Sequence, residues 1–319
     1  MASAGSCFAA NLVTYIEQAG FRYFRAPGLR PLFGQIADDN YGYSRFSAGY
    51  GNIYTVRQAV QLLERAMKLF DPQEDRWILN HDTIVDPFRP GLRYPAVSDT
   101  EFELLMAQYL NDALEVFRSA NVFIFTLGLT EAWISKVDGA VFPACPGTVA
   151  GEYDPERHAF YNFTFSDVSA DLDQLIALAR EINPLLRFIL TVSPVPLVAT
   201  ASNTHVIAAT SYSKAVLRAA AGEAANRHPD VAYFPAYEIV TGSHAPYDFF
   251  EPDRREPSLK AVQHVMRAFL AHCETDFRPE VEEVGALGSG GAQASTNERN
   301  QAMSRLLTDA ECEEMAAGY

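Results

Sequence analysis

The sequence predicts a three-layer α/β/α protein, a mostly parallel sheet covered by helices on both faces. Two runs carry much of that prediction: NVFIFTLG at 121–128 and RFILTVSP at 187–194 are apolar at successive positions, the pattern of strands buried on both sides. The third observation is alternation. From about Thr100 to Cys273 such strands are separated by segments whose apolar residues recur every three or four positions, the period of a helix. Units of this kind join parallel strands by right-handed crossovers, and open sheets so built bind ligands beyond the carboxyl ends of their strands.

In chain order, the first strand is a stub. Only Met1 to Gly5 precede the first helix, and Ala-Ser-Ala is a poor strand former. Phe8, Leu12, Tyr15, Ile16 and Ala19 then share one helical face ended by Gly20, so Gly5-Ser6-Cys7 is the hinge into that helix. Residues 22–100, rich in glycine, proline and aromatics, read as an irregular cap insertion holding one helix, TVRQAVQLLERAMKLF. A long helix with Phe102, Met106, Tyr109, Ala113 and Phe117 inward leads into NVFIFTLG. Ser166 is the expected cap of the next helix, which turns Val168, Leu172, Leu175 and Ala179 inward and closes at Asn183-Pro184. After RFILTVSP come the helix SYSKAVLRAAAGEAANR, the strand VAYFP and a last helix from about Ser258 to Cys273. One domain therefore spans 1–277, and residues 278–319 read as a flexible linker and tail with a short peripheral helix.

Composition narrows the chemistry. Of 319 residues, 48% are hydrophobic and 20% charged, enough apolar surface for a sizeable core. The formal charge of −15 argues against nucleic acid or an anionic membrane, which need clustered Lys and Arg, and points to small or neutral ligands, a small molecule or a glycan. Cys7, Cys145, Cys273 and Cys312 form no CxxC pair and have no histidine at metal-ligand spacing, so no zinc site, disulfide framework or cofactor is expected. No apolar run reaches the roughly 18 residues of a membrane span, and the start lacks a basic and then apolar leader, which reads as a cytoplasmic protein.

A helix N-terminus presents unpaired N–H groups and the positive end of the dipole, which favour an anion or a developing oxyanion. Ser6 at that hinge is either an acyl nucleophile or an ordinary N-cap. Five ordered stretches carry the question further: GSCFA at 5–9, FTLGLTEAW at 125–133, TVSPVPLVAT at 191–200, THVIAATSYSKAVLRAAAGE at 204–223 and YFPAYEIVTG at 233–242. Together, over about residues 1–270, they resemble the GSCFA-domain family, grouped with the SGNH/GDSL-like hydrolases. The resemblance implies a flavodoxin-like (SGNH hydrolase-like) sheet whose first strand delivers a nucleophilic serine, here Ser6. In that superfamily a glycine after the second strand and an asparagine after the third supply oxyanion donors.

Here Gly128-Leu129-Thr130-Glu131 stands where a Gly-x-Asn-Asp block would be, so Thr130 replaces the amide. Asn52, in GYGNIYT, is the substitute candidate, with an Asn in a Gly-rich turn as the alternative. Cys7 and Glu131 complete the expected oxyanion and substrate-binding set. A thiol at a helix N-terminus can itself be nucleophilic, although the residue after such a serine usually packs behind the site. The Asp-x-x-His block of the SGNH hydrolases becomes Asp253-Arg254-Arg255-Glu256, with Glu256 in the histidine's place, either a base raised by burial or a surface ion pair. The chemistry requires an imidazole within reach of the hydroxyl wherever it stands in the chain. His205, in the loop after TVSPVP, is the first candidate, His244 the second, and His81 can approach from the cap; His158, His228, His264 and His272 read as loop or helix-surface residues. Trp133, Tyr212, Tyr233 and Tyr237 either stack on a sugar or seal the core edge, and Arg89 can hold a carboxylate or phosphate if it faces the cleft.

The expected function is a serine-dependent O-acyl ester hydrolase or acyltransferase acting on an acylated carbohydrate through an acyl-enzyme on Ser6. His205 would take the proton, Asp253 or Glu256 would orient the imidazole, and N–H groups of the first helix and near Gly128 would hold the oxyanion. No metal or organic cofactor is implied. The rival is a non-catalytic carbohydrate-binding module that has lost its base, and a scaffold using its acidic surface stands third. The acyl group, its acceptor and the oligomeric state stay open at this level.

Overall fold

The computed structural model of the chain describes residues 1–26, 43, 46–80, 83–92 and 95–273. In chain order these form β1 (Ala2–Gly5), α1 (Cys7–Gln18), α2 (Val56–Ala66), β2 (Trp77–Asn80), β3 (Thr83–Val85), α3 (Asp99–Ser119), β4 (Val122–Leu127) and β5 (Glu131–Ser135). There follow β6 (Val141–Phe142), β7 (His158–Asn162), α4 (Phe165–Ile182), β8 (Arg187–Val192), α5 (Val206–Arg227), β9 (Val231–Tyr233), α6 (Ala236–Thr241) and α7 (Leu259–Ala271). His81, Cys312, the side chain of Cys7 and the expected tail over 278–319 lie outside the described residues.

The central sheet is parallel, in the order β1-β4-β8-β9. Phe123, Phe125, Phe188 and Leu190 pack on one face against α2, α3, α4 and α5, through side chains such as Leu63, Phe117, Leu172 and Leu217. Ile124 points the other way, toward Ile16 of α1, Val240 of α6 and Val265 and Phe269 of α7. This is the expected three-layer arrangement, and each such buried side chain stabilises it by roughly 1.5–3 kcal/mol over exposure. Among the described residues no helix is long and apolar enough to cross a membrane.

The stub strand is fully buried because both of its edges are occupied. On one side it pairs with β4; on the other, Ser47 Oγ accepts the Ser3 N–H at 3.0 Å, Tyr50 O–H donates to Ser3 O, and the Ile53 N–H donates to Gly5 O at 2.9 Å. Residues 46–54, within the stretch expected as an irregular cap, thus run beside β1 without a regular ladder. They stand where strand 2 lies in the flavodoxin-type order 2-1-3-4-5.

Other parts of the structure differ from the sequence reading. Thr164, not Ser166, caps α4, because its hydroxyl accepts the Asp167 N–H while the Asp167 carboxylate accepts the Thr164 N–H. Helix α5 begins at Val206 rather than Ser211, and the His205 ring caps it. Residues 131–162, to which the sequence assigned no strand, hold an antiparallel sheet in the order β6-β5-β7. His158 on β7 is a core residue rather than a surface one. Its Nδ1 accepts the Asp154 N–H at 3.1 Å and its Nε2 lies 2.9 Å from Glu74 Oε2, so the polar ring is satisfied where it is buried.

Candidate active site

The register of the sheet brings three carboxyl ends level: Gly5 pairs with Thr126, and Thr126 with Thr191. Gly5 has φ +143°, and a Cβ there would collide with the Thr126 backbone, so only glycine lets β1 end this close to β4. Ser6 follows in the N-cap position of α1, with φ −72° and ψ 175° and 4% exposure. Its Oγ makes no capping bond and no other hydrogen bond among the described residues. Thr55, Ser98, Thr164 and Ser258, in the same position of other helices, all accept a backbone N–H. Ser6 therefore occupies the cap position without capping; its own N–H donates to Thr126 O at 3.3 Å and that of Ala9 to Ser6 O at 2.8 Å, which leaves the N–H groups of Cys7 and Phe8 at the start of α1.

Gly128 forms the floor. A Cβ at that position would stand 3.1 Å from Ser6 Cβ and 3.0 Å from Tyr54 O. The Gly128 and Leu129 N–H groups both donate to Tyr54 O, at 3.1 and 3.0 Å. The N–H expected to hold an oxyanion near Gly128 is thus committed to the chain, which leaves the terminus of α1 as the backbone donor set at Ser6. Asn52, half-buried, directly precedes the Ile53 N–H that binds Gly5 O, so residues 52–54 form the outer wall.

Helix α5 contributes a group that the sequence reading did not single out. Lys214 is 2% exposed, and its Nζ donates to Gly128 O at 2.6 Å. Its neighbour Ser213 accepts the Thr130 N–H at 3.0 Å, and the two bonds dock α5 on the turn after β4. Gly128 accordingly touches both Ser6 and Lys214. A signal was present in the sequence: Lys214 lies on the face that carries Leu217, Ala221 and Ala224 into the core.

The remaining predicted residues are dispersed. The Thr130 hydroxyl donates to Asn162 Oδ1 at 2.6 Å and is wholly buried. Glu131 is buried, accepts from the Thr200 hydroxyl at 2.7 Å, and has its pKa raised by burial. It lines a narrow cleft with Leu129, Trp133, Cys145 and Leu197. Trp133 meets Tyr153 and Phe160 edge-on, whereas Tyr233, under Arg218 and bonded to Glu238, seals the core edge. His205 is exposed, with Nδ1 accepting the Ile207 N–H at 3.2 Å, and His244 is exposed against Gly242. Asp253 is exposed and accepts the N–H groups of Arg255 and Glu256 at 2.9 and 3.2 Å, which folds the turn that carries half-buried Glu256. His228 faces Asp173, His264 lies against Phe249, and His272 bonds its own helix. No described histidine is bonded to the Ser6 hydroxyl. Burial pushes the Cys145 thiol up to about 11 and raises that of Cys273, so neither is a ready thiolate.

A parallel sheet that delivers a buried, unbonded serine hydroxyl to the start of its first helix defines the class: an open α/β/α protein with a candidate nucleophile at the strand-to-helix turn. The chain belongs to the GSCFA family, whose family model matches residues 1–269. A comparison with curated proteins finds no match.

Proposed function

We propose that the protein is a serine-dependent hydrolase or acyltransferase of O-acyl esters, related to the SGNH-type hydrolases, with Ser6 as nucleophile. One observation carries this: the Ser6 hydroxyl is buried at a helix N-terminus, in the cap position, and makes no hydrogen bond among the described residues. Its Oγ attacks the acyl carbonyl carbon, and the oxyanion so formed meets the first N–H groups of α1, each such donor being worth roughly 3–4 kcal/mol in the transition state.

The proton leaves Oγ as the new bond forms. We assign the proton to Lys214, which is buried against the same glycine and, like the described histidines, is not hydrogen-bonded to the Ser6 hydroxyl. A lysine acting as base must be neutral when it accepts the proton. The proton then passes to the departing alcohol, leaving an acyl-serine that water or a sugar hydroxyl resolves. Serine-lysine pairs are an accepted variant of the serine-histidine arrangement. Trp133, half-buried at the neighbouring cleft, offers an apolar face to a carbohydrate.

A second reading is a non-catalytic carbohydrate-binding module. It is favoured by Glu256 in the histidine's place and by the missing bond between Ser6 and any described histidine. Fluorophosphonate labelling with peptide mass spectrometry separates the two readings. The adduct is expected on Ser6, to survive Cys7→Ala and His205→Ala, and to slow by about 10²–10⁴-fold in Lys214→Met. Loss in His205→Ala with retention in Lys214→Met would return the base to the imidazole, and no adduct in the wild type would make the binding module the leading reading.

A further inference from the structure

A second, narrow cleft opens between α2, α3 and the loop that carries Arg89. Its wall includes Asn52 and Ile53, the residues that lead the chain past Gly5 and Ser6. Arg89 is turned inward and committed: Nε donates to Asp86 Oδ2 and Nη1 to Gly49 O, both at 2.6 Å, and its guanidinium lies 3.5 Å from the centre of the Tyr109 ring.

Arg65, in the last turn of α2, is different. It is 6% exposed, yet among the described residues no carboxylate pairs with it; its guanidinium stacks 3.9 Å over the Phe88 ring, and Nη2 reaches only Met106 Sδ at 3.7 Å. A guanidinium carries five N–H donors, so most of these have no acceptor among the described residues. The hydroxyl of Tyr109, wholly buried in the same lining, lies beside the Arg65 guanidinium but forms no well-aligned hydrogen bond among the described residues. Burial pushes its pKa up to about 12, so it remains a donor at neutral pH.

The two glutamines of the lining are occupied. Gln58 Oε1 accepts the Tyr54 and Thr55 N–H groups, and Gln61 bonds Gly139 O and the Val141 N–H. Of the two buried guanidiniums, Arg65 and Arg89, only Arg89 pairs with a carboxylate among the described residues, Asp86, inside a chain of formal charge −15. A buried cation left unpaired is strongly destabilising, and cation-π contacts of roughly 1–2 kcal/mol offset only part of it. An oxyanion bonded to Arg65 and Tyr109 resolves the imbalance. The overall negative charge still disfavours polyanions, which must approach along an extended surface, but a single oxyanion group enters one cationic recess.

We propose that this cleft binds an oxyanion group, a carboxylate, sulfate or phosphate, carried by the protein's ligand, with Arg65 and Tyr109 as its donors. The cleft stands on its own observations; that the ligand is also an ester attacked by Ser6 rests on the reading of Ser6 above. Combined, the two make the substrate an acylated carbohydrate that bears an acidic substituent.

The test is the thermal melt of the full chain in inorganic phosphate, sulfate or acetate against chloride at matched ionic strength. With three charge-assisted bonds the expected Kd is on the order of 1 mM, and at about a hundredfold excess the melting temperature of the wild type should rise saturably by about 5 °C. Arg65→Met should start at or above the wild-type melting temperature and lose that rise, which also removes general salt effects as its cause. Tyr109→Phe should weaken the apparent Kd about tenfold, and Ser6→Ala should respond as the wild type does, so failure of the cleft and failure of the nucleophile are read separately. Strength of acetate against the two tetrahedral ions tells a carboxylate ligand from a sulfated or phosphorylated one. No saturable rise with any of the three ions, or an equal rise in Arg65→Met, overturns the proposal. Should Arg65→Met not fold, an unchanged Kd in Tyr109→Phe overturns it.

Discussion

A buried hydroxyl without a partner costs roughly 1–3 kcal/mol, so replacing Ser6 by alanine should leave stability unchanged or raise it. Thr164→Ala, which loses a capping bond, should instead lower stability by about 1 kcal/mol. Thermal melts of the two variants side by side check this; a Ser6→Ala loss equal to that of Thr164→Ala would make Ser6 an ordinary cap. At this scale the sequence was legible where position alone decides. Gly5-Ser6-Cys7 reads as a hinge because the helical periodicity begins directly after it, and the hinge is where the structure puts it. Arg65 was not legible and Lys214 only through its place on the apolar face of α5, since a basic residue in a helix ordinarily reads as part of a solvated face, and the packing of α5 on the turn after β4, or of α2 against Phe88, buries them.

Between elements, α2 and α4 are joined by a pair with a pH dependence of its own. Arg57 Nε donates to Asp171 Oδ1 at 2.6 Å, but burial dominates and pushes Asp171 from its ordinary 3.8 up to about 6, with Arg57 opposing the shift. A carboxyl raised on folding stabilises the folded state fully below its unfolded pKa and loses that contribution as pH climbs through the folded one. Asp171→Asn should therefore match the wild type near pH 4 and exceed it by roughly 1–3 kcal/mol at pH 7, the gap opening between 3.8 and about 6. Urea unfolding of both chains across that range measures it, and a gap of the opposite sign would mean that the ion pair outweighs burial. The sequence revealed β4 and β8 because strands buried on both faces are long apolar runs. It concealed β5, β6 and β7 because they have two to five residues and mix buried with half-exposed positions, so no alternation of period two emerges.

Over the whole molecule, a formal charge of −15 makes the folded chain repel itself. Raising sodium chloride from about 10 to 150 mM shortens the screening length from about 30 to 8 Å, and the melting temperature should rise by a few degrees at neutral pH. A flat or falling response would show that local ion pairs, such as Arg227 with Asp173 and Glu223, outweigh the net charge.

The path of residues 46–54 bears on how this architecture can be altered. Ser3 and Gly5 bond that segment on the side of β1 away from β4. Excising it as though it were a detachable ornament would open the flank of Ala2–Gly5 and offer its bare peptide groups to a neighbouring molecule, the usual beginning of edge-to-edge aggregation. The insertion and the serine's strand are consequently one transplantable unit, and a chimera that exchanges either must carry both.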